Sequence, residues 1–60
     1  REKQMKLYKR YYHITVTDKS GKIVAEREEV SGHNASEEMM MLGKEYPHCE
    51  IATVLKMEEV

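Results

Sequence analysis

Sixty residues with one cysteine and a net charge of −1 form one domain at most, exclude an internal disulfide and lack the basic balance of a typical nucleic-acid binder. A chain this short hides only about 60% of the surface its unfolded form exposes, so it folds marginally unless a partner, a metal or very regular elements support it. No apolar run approaches the roughly 18 residues of a membrane-spanning helix, and the lone Cys49 fits a reducing compartment. The expectation is a single small cytoplasmic domain over residues 1–60, with no membrane association.

The charge is unevenly spread. Residues 1–13 carry Arg1, Lys3, Lys6, Lys9 and Arg10 against Glu2, a net +4, while residues 14–60 carry a net −5. Residues 1–6 read as a flexible basic N-terminal arm, because charge at a terminus stays solvated at little cost.

The first element is "LYKRYYHITVT", residues 7–17. Its alternation and its β-branched and aromatic side chains predict a strand, with Tyr8, Tyr12, Ile14 and Val16 on one face and Leu7, Tyr11, His13, Thr15 and Thr17 on the other. "DKSGK" then supplies Asp18 to cap a turn and Gly21 to take a positive φ, and "KIVAEREEV" returns as a second strand, closing a β-hairpin over residues 7–30. Two registers are open. A bulge at Gly21 sets Val16 across from Val24, whereas a plain four-residue loop pairs Val16 with Ile23 and Ile14 with Ala25. A slip of one residue exchanges the two faces.

"SGHN" breaks the strand pattern. Asn34 is the expected N-cap of a helix of about 12 residues, with Glu37 completing a capping box and Glu37 and Glu38 in the first turn, where the dipole favours them. Pro47 ends the helix at Tyr46. "HCEIATVLKME" follows as a third strand, with Cys49, Ile51, Thr53, Leu55 and Met57 on one face and Ala52 and Val54 on the other. The expected fold is therefore α+β: a ββαβ chain with a three-stranded antiparallel sheet in order 2-1-3 and the helix packed on one face.

At about 100° per residue, Ala35, Met39, Leu42 and Tyr46 form one narrow stripe that faces the sheet, while Met40 and Met41 fall about 130° to either side of it. Met39 is thus a core residue, and Met39→Gln is expected to strand an amide there. Met40 and Met41 are surface residues of a soft, adaptable kind common where partners bind. A second apolar set, Tyr11, Ala52, Val54 and either Ile23 or Val24, is left on the sheet face the helix does not cover. Such a face seldom stays in water, so the chain is expected to form a homodimer through it or through an edge strand.

Catalysis needs a nucleophile, base or metal held in a cleft, and only His13, His33, His48 and Cys49 qualify. His48 and Cys49 are chain neighbours that strand alternation sends apart, too few and too divergent for a zinc set. No phosphate-loop spacing is present. No catalytic residue, cofactor or metal is assigned, and an enzyme is not expected. "KLYKRYY" does interleave basic and aromatic side chains: Lys6, Tyr8, Lys9, Arg10 and Tyr11 are the candidates for contacting phosphates and unpaired bases.

The element order, hairpin then helix then strand in a short chain, resembles in outline small proteins of phages and mobile elements, among them small phage inhibitors of host enzymes such as the uracil-DNA glycosylase inhibitors. The resemblance implies an accessory or inhibitor role and carries no residue across. The expected function is a small non-catalytic protein–protein interaction module, homodimeric, meeting a protein partner through Met40, Met41, Tyr11 and Val54. A nucleic-acid-binding accessory protein using the basic and aromatic first strand is the alternative.

Overall fold

The structure, a computed structural model, describes residues 7–59; the expected basic arm at residues 1–6, Lys6 included, lies outside them. Strand β1 (Tyr8–Thr17) turns into β2 (Ile23–Glu29) through a loop organised by one carboxylate. Asp18 Oδ1 accepts hydrogen bonds from the Ser20 backbone N–H (2.9 Å), the Ser20 hydroxyl (2.7 Å) and the Lys22 backbone N–H (3.0 Å). Gly21 donates its N–H to the Asp18 carbonyl at 3.0 Å and holds a φ of 90°, a left-handed conformation that a Cβ resists. This is a type I turn closed by a glycine bulge.

Beyond the turn neither expected register is found. Thr17 lies opposite Ile23, but the ladder then shifts, so Val16 meets Ala25, Ile14 meets Arg27 and Tyr12 meets Glu29. Val24 is the extra residue of a second bulge, and the physical reason is charge. Without the shift, Glu26 and Glu28 would point beneath the helix, where unpaired carboxylates are costly. With it, small Ala25 packs against the core, both glutamates face the open side of the sheet, and Arg27, paired with Glu38 of the helix, takes the helix side with Glu29 at the strand end.

The same hydrogen bonds hold the Asp18 carboxyl below its ordinary value of 3.8, the Ser20 hydroxyl first and the Lys22 N–H next. A depressed folded value contributes stability that is present above 3.8 and lost as pH falls through the folded value. Asp18→Ala is expected to melt below the native protein at neutral pH, and the gap between the two melting temperatures is expected to narrow on acidification below pH 3.8. A gap that is constant with pH would show that the carboxylate does not organise the turn.

Helix α1 spans Gly32–Glu45 and starts two residues before the expected Asn34 cap. Ser31, in extended conformation, is the N-cap, and its side chain accepts from the Asn34 N–H at 3.1 Å. Asn34 is therefore inside the first turn, no acidic residue occupies that turn, and the capping box through Glu37 does not form. Glu37 instead meets His33 at 3.0 Å, one turn back. Gly32 opens the helix beside the Tyr12 ring, where even a Cβ would make an ordinary 3.4 Å contact with the hydroxyl. The C-terminus is as expected. Tyr46 donates to the Leu42 carbonyl at 2.8 Å and Pro47 follows.

Strand β3 (Glu50–Glu59) begins two residues later than His48, because Cys49 N–H turns back to the Tyr46 carbonyl at 3.2 Å. It pairs antiparallel with β1 along its whole length, from Glu50 opposite Thr17 to Glu59 opposite Tyr8. The sheet order is β2-β1-β3 with α1 packed against one face, the α+β arrangement expected from the sequence. Ile14, Val16, Ala35 and Leu42 are fully buried, with Tyr12, Ala25, Met39, Tyr46, Cys49 and Ile51 packed around them.

Candidate interaction surface

Three contacts fix how α1 lies on the sheet. The Thr53 hydroxyl donates to Met39 Sδ at 2.8 Å, Gly43 lies over the end of Ile51, and Glu38 pairs with the Arg27 guanidinium at 3.4 Å. Met39 and Gly43 thus mark the β3 flank of the helix and Glu38 the β2 flank. By helical periodicity Met40 leans outward over the β3 side and Met41 over the β2 side. Both are exposed, at 64% and 63%, and they stand about 100° apart around the helix, so the methionine run does not form one patch. The Thr53 hydroxyl would offer a donor to the carbonyl of a glutamine at position 39, but its NH2 group would still need an acceptor there.

In the monomer, replacing Met40 and Met41 together by Gln is expected to change stability by no more than about 0.5 kcal/mol, as for exposed positions in general. Chemical denaturation of the double variant checks this, and a loss comparable to that of a core truncation would place the pair in the core.

The helix is too short for the sheet. Its 14 residues reach about 21 Å, whereas the 10-residue strands β1 and β3 extend about 33 Å. The helix therefore leaves the free end of the β1–β3 ribbon bare on its own side. Leu55 and Met57, which the alternation groups with the buried face, are 49% and 59% exposed, and Tyr8 is equally uncovered.

On the opposite, open face the expected apolar set is divided. Tyr11, His13, Thr15 and Thr17 line the middle strand, with Ala52 and Val54 to one side and Glu26, Glu28 and Ile23 to the other. His13 stands between Glu28 and Val54; its Nε2 is 3.6 Å from Glu26 and its Nδ1 3.5 Å from Glu28. That Nδ1 is buried and makes no hydrogen bond to a described residue, so the Glu28 contact is an ion-pair distance without bonding geometry. The exposed apolar surface is split between Val54 and Ala52 on the β3 side and Ile23 at the turn end of β2, with His13 and the two glutamates between them. Tyr11 is half-buried beneath Lys9 Nζ, 5.4 Å from its ring, and its hydroxyl is pushed above the ordinary tyrosine value by burial and by the Glu58 and Glu28 carboxylates.

The basic and aromatic candidates of β1 are divided in the same way. Tyr8 and Arg10 lie on the helix side of the ribbon and Lys9 and Tyr11 on the open side. Glu59 and Glu58 stand opposite Tyr8 and Lys9 on β3, which weakens the attraction of this end for a phosphate chain.

An open cleft lies where the Asp18 turn meets the segment Pro47–Glu50, with Thr17, Lys19, His48 and the half-buried Cys49 on its walls. Among the described residues no group of three or more His, Cys, Asp or Glu side chains converges to hold a metal, and no helix is long and apolar enough to cross a membrane. Comparison of the chain with protein-family models, with curated proteins and with solved structures gives no match.

Among the described residues no strand pairs with the outer edge of β3, and the sequence, which pointed to an edge strand, did not say which. The length of the alternating run in β3, ten residues against seven for β2, is the signal that marks it.

Proposed function

We propose that this protein is a small non-catalytic protein–protein interaction module that works as a homodimer in the cytoplasm. The observation that carries the reading is the apolar surface left uncovered along β3: Val54 on the open face and Leu55 and Met57 on the helix side, all about half exposed. A domain with four buried residues among those described gains proportionally more from covering such surface than a larger one does. The acidic body, with Met40 and Met41 on the two shoulders of the helix, is the surface offered to a protein target. An accessory or inhibitor protein of the phage type acts in this way, by occupying a surface of its target.

Sedimentation equilibrium at tens of micromolar tests the dimer. A species near twice the 7.1 kDa chain mass is the expected result, and a strictly monomeric protein would overturn the reading.

A second reading, nucleic-acid binding, rests on Lys9 stacked over Tyr11 with Arg10 and Tyr8 beside them. Titration against mixed single-stranded DNA and RNA decides it. Binding that weakens steeply with salt supports it, and no binding at low salt removes it.

A further inference from the structure

The two open edges of the sheet differ in what they can pair with. β2 carries Glu26, Glu28 and Glu29 in seven residues and is distorted by the Val24 bulge, two devices that discourage strand addition. β3 is ten residues long, pairs with β1 without a register shift and bears Ile51, Ala52, Thr53, Val54 and Leu55 in succession. An unblocked edge of this kind is a template for another strand.

From this edge, and resting on the homodimer proposed above, we infer that the second copy pairs β3 to β3, antiparallel and centred on Thr53, to give a continuous six-stranded sheet with both helices on one side. The register follows from matching each side chain with its own copy across a twofold axis. Centred on Thr53, Glu50 of each chain stands opposite Lys56 of the other, twice. Ala52 stands opposite Val54 twice on the open face, and Ile51 stands opposite Leu55 twice beneath the helices. The half-exposed Val54 and Leu55 are thereby covered, and Met57 comes beside Cys49 of the second copy. Neither Glu50 nor Lys56 is in an ion pair with another described residue, so both are available.

Registers centred beyond Thr53 that keep the helices on the same side are poorer. Centring on Val54 puts Glu50 opposite Glu58 twice, and centring on Lys56 puts two lysines opposite each other. Centring on Leu55 sets Lys56 against Val54 and Glu58 against Ala52, leaving no pair of opposite charges. Like charges directly opposite destabilise a strand pair, and opposite charges stabilise it.

The helices fit this arrangement. Met39 stands over Thr53, which lies at the twofold, and Met40 leans from the same turn toward β3. With α1 over the middle strand, the two helix axes are about 14 Å apart, three strand spacings. That is wider than the roughly 8–10 Å of direct helix packing, so the two helices stand clear of each other over the paired Leu55 and Ile51 side chains, and Met40 stays at the outer surface.

The test is a charge exchange read by sedimentation equilibrium, with circular dichroism confirming that each variant folds; both positions are exposed. Glu50→Lys and Lys56→Glu each turn two attractive pairs into two repulsive ones. Each is expected to weaken its homodimer on the order of tenfold to a hundredfold. An equimolar mixture of the two variants restores both attractive pairs and is expected to form the heterodimer, as is the homodimer of a chain carrying both substitutions. Folded single variants that dimerise as tightly as the native chain, or a mixture that stays monomeric, would overturn the β3 register while leaving a homodimer through another surface standing. A monomeric native protein would overturn the homodimer itself, and this inference with it.

Discussion

Leu42→Ala is expected to cost about 2–4 kcal/mol and to lower the melting temperature by about 10–30 °C. Leu42 is 1% exposed and lies in the buried cluster with Ile14, Val16 and Ala35. Truncating it removes the largest helix side chain in that cluster and leaves a cavity that the neighbours can fill only by moving. Glycine at position 43 and small Ala35 offer little that could collapse inward. A domain this size has little stability in reserve, so a large part of the variant is unfolded at 37 °C. Thermal and chemical denaturation measure the loss. A melting temperature within a couple of degrees of the native value would mean that α1 presents a different face to the sheet.

The sequence carried the element order, the strand order and the buried stripe of the helix, because each depends on periodicity over many residues. Ala35, Met39, Leu42 and Tyr46 repeat at helical spacing, and one misplaced residue could not have hidden that. Boundaries and register depended on single residues and were less legible. Ser31 and Asn34 can each cap a helix, and glycine between them disfavours starting early. In the structure Ser31 takes the role, its hydroxyl accepting from the Asn34 N–H, and nothing within the four residues marks it over Asn34. The Gly21 bulge was readable because glycine marks positive φ. The Val24 bulge was not, since valine marks nothing; the reason for it is the need to turn Glu26 and Glu28 outward.

The candidate surface was legible in part. Met40 and Met41 are exposed as their angles require, but which flank each occupies depends on the Thr53, Ile51 and Arg27 contacts. The open sheet face reads as apolar from Tyr11, Ala52, Val54 and either Ile23 or Val24, but His13, Glu26 and Glu28 divide it. Alternation tells which residues share a face, not how far along it the helix reaches, so Leu55 and Met57 were grouped with the core although the helix stops short of them.

The face assignment of the central strand is open to the sharpest check. Ile14→Ala is expected to cost about 2–5 kcal/mol, since Ile14 has no exposed surface and lies between Arg27 and Thr53 on the helix-covered side. Val54→Ala removes the same kind of side chain one register position away, opposite His13 on the open side. In the monomer it is expected to cost no more than about 0.5 kcal/mol. Comparable losses from the two would mean that the faces are exchanged. Protein concentration separates folding from association, because a dimer is stabilised by mass action and a monomer is not. The Ile14→Ala loss is therefore expected at every concentration. Whatever Val54→Ala loses beyond the small monomer value should grow as the native chain dimerises, because Val54 then stands against Ala52 of the second copy. A Val54→Ala loss that is large and independent of concentration would place this side chain in the monomer core, and the surface along β3 would no longer be the one left for a partner.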